Sequence, residues 1–112
     1  MDRVKKYQQI LEHFFKERAA IQDRQTSGLK SHLLVNEQQT DFVLLKMGWK
    51  KKLFVHAVVF HIEIKEKKIW IYEDKTDIDV AKVLVEAGIL KEDIVLGFLS
   101  PTLREFSEYA VA

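Results

Sequence analysis

The alternation of hydrophobic and polar residues is most informative at positions 53–72, which read LFVHAVVFHIEIKEKKIWIY. This stretch contains two β-rich runs separated by a charged turn. Its first run, residues 53–64, is apolar at both its odd and its even positions, a pattern typical of a strand covered on both faces. We therefore expect this strand to lie within the fold, with its second face covered by helices or by a second copy of the protein.

Four β-rich runs occupy the middle of the chain, at residues 31–37, 42–49, 53–64 and 68–72. The connections between them are too short for parallel crossovers, so consecutive runs should pair as an antiparallel meander. None of the turns contains Asn-Gly or Asp-Gly, the pairs most typical of two-residue hairpin loops, so such loops are not indicated. A further short strand is expected at residues 94–98.

Helical periodicity flanks the strands on both sides. Residues 2–20 carry apolar side chains at three- and four-residue spacing, which predicts an N-terminal helix with one buried stripe. Residues 76–87 predict a second and more deeply buried helix, capped by Thr76 and ended by a left-handed Gly88. Ser100 followed by Pro101 is typical of the start of a helical turn.

These elements predict an α+β fold in a single domain over residues 1–112. We expect an antiparallel meander sheet of four to five strands with an N-terminal helix, a buried second helix and a short C-terminal helical turn. A chain of 112 residues can bury roughly two thirds of its unfolded surface in one core.

Composition restricts the function classes. The chain has 18 basic and 17 acidic residues and a net charge of +1, a balance that argues against a strongly basic nucleic-acid binder. The lack of cysteine excludes disulfides and thiolate metal sites, and it is compatible with a reducing cytoplasm. The N-terminus is charged and no apolar run approaches the ~18 residues of a membrane span, so we expect a cytoplasmic protein without membrane contact.

Motifs of catalysis and metal binding are missing from the sequence. No glycine-rich phosphate loop, HExxH motif or nucleophile elbow occurs, and no two of the four histidines have helical i,i+4 spacing. His56 and His61 lie an odd number of positions apart on one strand, so strict alternation directs them to opposite faces, where they cannot share an ion. We therefore expect no metal site and no cofactor.

One constellation nevertheless has a catalytic interpretation. If the turn at residues 50–52 sets the register, Asp41 falls opposite His61, and His61, Glu63 and Lys65 share a face. An acidic residue followed by Glu-x-Lys on a neighbouring strand is the pattern of a metal-dependent nuclease, in which carboxylates hold the cation and lysine stabilises charge on the phosphate. A solvated strand end with cross-strand ion pairs explains the same residues.

Two lysine clusters are candidates for phosphate contacts. The first is Lys50, Lys51 and Lys52, and the second is Lys65, Lys67 and Lys68. A strand of about a dozen residues lies between the two clusters, so ~40 Å separates them and they cannot form one DNA-binding patch. Solvated turn lysines that discourage edge pairing are the alternative.

Two aromatic residues next to the second cluster have a similar ambiguity. Trp70 and Tyr72 should share a face of their strand. They either stack on bases or pack in a core or an interface.

Six segments carry a more specific signal. They are MDRVKKYQQIL at the start, MGW at 47–49, VVFHIEI at 58–64, KIWIYED at 68–74, VEAGILKEDIVLGF at 85–98 and EYAVA at the end. In this order, and over nearly the whole chain, they resemble the XisI family, the fdxN element excision controlling factors of cyanobacteria.

The resemblance implies a small accessory protein, without catalytic residues, that acts with a partner called XisH in the site-specific excision of a DNA element in heterocyst-forming cyanobacteria. XisH-type proteins resemble nucleases, so an antitoxin-like inhibitor of such a partner is an alternative. A direct DNA-binding module, suggested by the lysine turns, is another, although we expect contact with DNA to be indirect. The apolar second face of residues 53–64 predicts a homodimer.

The chain departs from the family pattern in two places. Relatives usually have His-Pro-Pro after the GF pair, whereas this chain has Leu99, Ser100 and Pro101. Any role of that histidine is therefore in question here. Relatives also commonly have Asp where Glu63 stands, which keeps a carboxylate beside His61.

Overall fold

The computed structural model describes residues 2–25 and 28–112. Its helices are α1 (Arg3–Gln25), α2 (Val80–Ala87) and α3 (Pro101–Arg104), and a short 3₁₀ turn lies at Lys91–Asp93. Its strands are β1 (Leu29–Val35), β2 (Asp41–Lys50), β3 (Leu53–Lys65), β4 (Lys68–Asp74) and β5 (Ile94–Leu96).

The five strands form one sheet in the order β1-β2-β3-β4-β5. The first four pair antiparallel with their neighbours in sequence, so the predicted meander and the α+β class are confirmed. Strand β5 pairs parallel with β4, because α2 carries the chain back along the sheet before β5 begins. A bridge between Val95 and Ala110 adds the C-terminal residues to the outer side of β5.

Two of the turns are tighter than the sequence suggested. The loop between β2 and β3 consists of Lys51 and Lys52, and the loop between β3 and β4 consists of Glu66 and Lys67. The expectation against two-residue loops is therefore wrong. Lys51, Glu66 and Lys67 have φ values of 58°, 53° and 65°, the left-handed conformation that asparagine or glycine would adopt at lower cost. The pairing of the flanking strands compensates for the absence of those turn residues.

Helix α1 continues to Gln25, five residues beyond its predicted end. Residues 21–25 contain no helix breaker, and glutamine and arginine are good helix formers. Although α1 has 23 residues, its composition is polar on most of its surface. No helix within residues 2–25 and 28–112 is both long enough and apolar enough to cross a bilayer.

The core lies between one face of the sheet and helices α1 and α2. The α1 residues Tyr7, Leu11, Phe14 and Phe15 are buried. The rings of Phe14 and Phe60 have centroids 5.5 Å apart, and those of Phe15 and Phe42 are 5.7 Å apart. Helix α2 adds Val80, Ala81 and Leu84 to the same cluster. The two longer helices therefore cover the same face of the sheet.

The helix caps partly follow the predictions. Helix α2 begins after Asp79, whose side chain accepts a hydrogen bond from the Lys82 amide, so the prediction of Thr76 as its cap is wrong. Thr76 instead donates its hydroxyl to Asp74 in the preceding turn. The left-handed end at Gly88 is confirmed by its φ of 118°. Three of the eight α2 residues are buried, compared with four of the 23 α1 residues. The prediction that the second helix is more deeply buried than the first is therefore confirmed.

The final helical turn begins as predicted. The Ser100 side chain accepts a hydrogen bond from the Leu103 amide, and Pro101 is the first helical residue.

One buried carboxylate fastens α1 to the segment before β5. Asp93 is only 5% exposed, and it accepts hydrogen bonds from the Tyr7 hydroxyl at 2.6 Å and from Arg3 at 2.8 Å. The Tyr7 hydroxyl in turn accepts from the Leu90 amide at 3.2 Å. Burial, followed by the hydrogen bond to Asp93, raises the pKa of Tyr7. These bonds satisfy polar groups that burial would otherwise leave unpaired.

We expect Tyr7→Phe to lower the free energy of unfolding by about 1–3 kcal/mol, because it leaves Asp93 and the Leu90 amide short of a partner in a buried place. Urea unfolding followed by circular dichroism measures the change. Tyr109→Phe is the matched control: the Tyr109 hydroxyl makes no hydrogen bond to any residue that the structure describes. Equal stability of the two variants would contradict the role given to Asp93.

Candidate functional site

The second face of the sheet carries a strip of apolar side chains. By the register of β1, β2 and β3, this strip consists of Leu34, Val43, Leu45, Met47, Trp49, Phe54 and Val58, with His32 and His56 among them. We call it the open face, because no helix of residues 2–25 or 28–112 packs over it. Leu34, Trp49 and Phe54 are 54%, 62% and 48% exposed. An exposed apolar strip of this kind is typical of a surface that another molecule covers.

Two aromatic rings dominate the open face at the end near the β2–β3 turn. Trp49 and Phe54 are cross-strand partners, and their ring centroids are 5.2 Å apart. The His56 ring stacks next to Phe54 at 6.5 Å. The group is therefore a packed cluster rather than a set of isolated exposed residues.

A bulge in β3 decides which of its residues reach the open face. Leu44 pairs with Phe60, whereas the next residue, Leu45, pairs with Val58. Val59 is therefore an extra residue without a partner on β2, and both Val59 and Phe60 are buried. From this point towards Leu53, the alternation of β3 is shifted by one residue.

The shift changes the placement of the histidines. His56 pairs with Met47 and His61 pairs with Val43, positions of β2 that face the same way. The prediction that His56 and His61 point to opposite faces is therefore wrong. They are still too far apart to share an ion, since four residues of β2, or ~13 Å, separate the positions opposite them.

Four polar side chains form a cluster where β2 begins: Asp41, His61, Glu63 and Tyr72. The Tyr72 hydroxyl donates to Glu63 at 2.6 Å, and His61 Nε2 lies 3.3 Å from an Asp41 carboxylate oxygen. The His61 and Tyr72 rings pack with centroids 5.2 Å apart. Burial raises the pKa of Tyr72 to about 12, assisted by the hydrogen bond to Glu63 and by the charges of Glu63 and Asp41.

The structure brings Asp41 and His61 together, although in a different register from the predicted one. Asp41 lies opposite Glu63, and His61 lies opposite Val43. The predicted register is wrong by two positions. The two-residue turn accounts for one position and the bulge at Val59 for the other. A diagonal contact across the strands still joins His61 to Asp41.

Lys65 stands apart from the carboxylates. Its ammonium group lies over the Trp70 ring, 4.3 Å from the centroid. The Glu63 carboxylate is engaged by Tyr72. Within residues 2–25 and 28–112, no group of three histidine or acidic side chains is arranged to hold a metal ion. The nuclease interpretation of Asp41, His61, Glu63 and Lys65 stays a prediction.

Trp70 and Tyr72 share a face, as the sequence suggests, with ring centroids 6.3 Å apart and a 27° angle between the rings. Besides Lys65, the Arg104 guanidinium lies 5.1 Å from the Trp70 centroid. Two cations therefore contact this ring. The arrangement favours packing within the chain over stacking on bases.

The lysine turns lie at opposite ends of β3, as predicted. Lys50, Lys51 and Lys52 are exposed at the β2–β3 turn, next to Trp49 on the open face. Lys65 ends β3 and Lys67 lies in the β3–β4 turn, so the length of β3 separates the two groups.

Sequence reasoning missed two partners in this region. Tyr72 was not identified as the hydrogen-bond donor to Glu63, because that contact depends on the β3–β4 register, which shifts between His61 and Ile62. Arg104 was not identified as a neighbour of Trp70, because α3 follows β4 at a distance in sequence and no local pattern signals the contact.

Comparison with known proteins identifies the family. The family model described as "XisI protein" matches residues 1–111. The chain belongs to the XisI family. A search of curated proteins found no match.

Solved structures agree with this membership. An XisI-like protein from Anabaena variabilis ATCC 29413 is 30% identical, with a TM-score of 0.88, over 99% of this chain and 100% of that one. The fdxN element excision controlling factor XisI from the same organism is 29% identical, with a TM-score of 0.84, over the same shares of both chains. The family resemblance of the six sequence segments is thereby confirmed.

Leu99 occupies the position where XisI relatives are expected to have histidine. Its carbonyl oxygen accepts a hydrogen bond from Arg104 Nε at 3.0 Å, and its amide donates to the Leu96 carbonyl. In this XisI-family protein the backbone of that position therefore helps to hold the arginine that lies over Trp70.

We expect the stability of this XisI-family protein to fall between pH 10 and pH 12, in part because of Tyr72. Its pKa is raised from 10.0 to about 12 on folding, so the neutral phenol is favoured in the folded state. That contribution is complete below pH 10 and is lost as the pH rises through the folded pKa. Tyr72→Phe should therefore show a smaller loss of unfolding free energy over this range.

Chemical denaturation at a series of pH values measures this difference. Glu63→Gln is the companion variant: it removes the charge but retains an acceptor oxygen, so the pKa of Tyr72 should fall while staying above 10.0, since burial is its largest cause. A Tyr72→Phe variant with the same pH dependence as the wild type would contradict the assignment.

Proposed function

We propose that this protein is a non-catalytic accessory regulator that acts with an XisH-type partner in the site-specific excision of a DNA element. Membership of the XisI family, and likeness to a protein named an excision controlling factor, support this function. We further propose that it acts in the cytoplasm of a heterocyst-forming cyanobacterium. The two solved relatives, which come from Anabaena variabilis, support that setting.

The observation that carries this proposal is the open face. A regulator that works by protein contact needs an exposed apolar surface, and tryptophan is among the residues that most often dominate such contacts. Trp49, at 62% exposed, packs against Phe54 at the end of that surface near the β2–β3 turn. The charged residues Lys50 and Asp41 lie at the border of this surface and would help to orient a bound partner.

In the absence of the partner, we propose that two copies cover each other's open face as a homodimer. The XisH-type protein would then either join this dimer elsewhere or displace one copy. An antitoxin-like role uses the same contact: the protein would mask the nuclease-like active site of its partner. Measurements on the co-expressed pair separate these arrangements.

Co-expression with an XisH-type protein should give a complex that co-purifies in mild salt, and light scattering should show a dimer when this protein is purified alone. Trp49→Glu places a charge in the open face, so it should disrupt the homodimer, the complex with the XisH-type protein, or both. Phe106→Glu is the matched control, since Phe106 is 82% exposed and lies outside the open face. Circular dichroism confirms that both variants fold.

The absence of any complex with the XisH-type protein would count against the proposed function. Equal assembly of the Trp49→Glu and Phe106→Glu variants would reject the open face as the contact surface. If the partner cleaves DNA alone but not in the complex, the antitoxin-like role replaces the accessory role in excision.

Direct DNA binding is a second candidate, favoured by the exposed lysines beside exposed aromatic rings at the β2–β3 turn. It predicts that DNA is retarded in gels in a salt-dependent manner, and that joint replacement of Lys50, Lys51 and Lys52 by alanine weakens the effect. Replacement of Lys65 and Lys67, at the other end of β3, is the control. No retardation at low salt would remove this candidate.

A further inference from the structure

A cavity of about 200 Å³ lies on the helix side of the sheet, beside the β3 bulge. Its floor is Val59 and Phe60, and its walls include Arg18 of α1, Lys46 of β2 and Lys75 after β4. About 10–15 Å³ of such space admits one water, so the cavity accommodates a group several times larger. The bulge therefore borders both the open face and this cavity, on opposite sides of the sheet.

Arg18 is the unusual residue of this cavity. Its Nε is buried and has no hydrogen-bond partner. Within residues 2–25 and 28–112, the guanidinium makes neither a hydrogen bond nor an ion pair. A guanidinium carries five N–H donors, and a buried donor without an acceptor is costly. A partly buried cation with an unsatisfied buried Nε beside an empty space indicates a missing acceptor.

Lys46 strengthens this interpretation. It lies two residues from buried Leu44 on β2, so it shares the side of the sheet that faces α1. Lys46 is half-buried, and it has no hydrogen bond or ion pair to any residue that the structure describes.

The charge of the cavity is of one sign. Arg18, Lys46 and Lys75 line it, and none of the described lining residues is acidic. Lys75 has a solvent-exposed ion pair with Glu73 at 3.3 Å, which leaves the other two cations without a counterion. Cations gathered around a partly enclosed space repel one another, and an anion between them would remove that repulsion.

We propose that this cavity binds a small phosphate-type oxyanion, either free phosphate or the phosphate group of a small metabolite. The Arg18 guanidinium would bind two of its oxygens in the fork geometry that suits phosphate. Lys46 and Lys75 supply further positive charge, and the apolar floor excludes water below the ligand. The proposal is independent of the open face and of the XisH-type partner.

Calorimetric titration of the whole protein tests the proposal, with inorganic phosphate, adenosine monophosphate and a short DNA duplex titrated separately at constant ionic strength. We expect saturable binding of phosphate, of the monophosphate or of both, which distinguishes a free ion from a phosphate ester. Arg18→Met and Lys46→Met should each weaken binding by about tenfold or more, the loss expected for one charge-assisted hydrogen bond. Arg24→Met, a change at an exposed arginine of α1 outside the cavity, should leave it unchanged.

Amide chemical shifts of the wild-type protein add a test that needs no variant. Phosphate should perturb residues around Arg18, Lys46 and Lys75 and should leave the Lys50 turn unaffected. If Arg18→Met does not fold, Lys46→Met and these shifts decide the question. The proposal would be overturned if neither small ligand bound saturably, or if only DNA bound. It would also be overturned if Arg18→Met and Lys46→Met bound the ligand as tightly as the wild type does.

Discussion

The bulge at Val59 determines which residues of β3 lie on each side of the sheet. Because a shift of one residue exchanges the two faces of a strand, the bulge lets β3 serve different sides along its length. Phe60, Ile62 and Ile64 face α1 and α2 in one half of β3. In the other half, Phe54 and Val58 face away from the helices, onto the open face.

Both candidate surfaces follow from this change of face. The open face receives the aromatic cluster of Trp49 and Phe54 because the β3 alternation is shifted before it reaches the β2–β3 turn. On the helix side, Val59 and Phe60 form the floor of the cavity near Arg18. With a regular β3, Phe54 would lie on the helix side of the sheet, and the aromatic pair of Trp49 and Phe54 would be lost from the open face.

The elements and the antiparallel pairing of the first four strands could be predicted from the sequence, because hydrophobic period and short connections determine them locally. The side of the sheet on which each residue of β3 lies could not be predicted. Residues 53–64 are apolar at odd and even positions, and this pattern suggested a strand covered on both sides. The structure shows that β3 changes face at Val59: its second half carries His61 and Glu63 on the side away from the helices, whereas its first half is apolar on both sides. A bulge without glycine leaves no sequence signal, so the same pattern fits both arrangements.

Most members of the polar cluster around Asp41 could be predicted, whereas the contacts between them could not. Asp41, His61 and Glu63 do come together, whereas Lys65 binds over Trp70 and Tyr72 takes the hydrogen bond to Glu63. Each difference depends on register shifts that a single sequence does not reveal.

The glycine of the MGW segment, by contrast, has a simple steric explanation. A Cβ at Gly48 would lie 2.3 Å from the Gly28 carbonyl oxygen, so only glycine fits beside the start of β1.

The central claim is that the open face is the surface through which this protein acts on other proteins. Hydroxyl-radical footprinting of the complex with the XisH-type protein, and of the protein alone at high and low concentration, tests it most directly. We expect Trp49 and Phe54 to become protected from oxidation on assembly, while Phe106 stays reactive. Assembly that leaves Trp49 and Phe54 as reactive as in the dilute protein would contradict it.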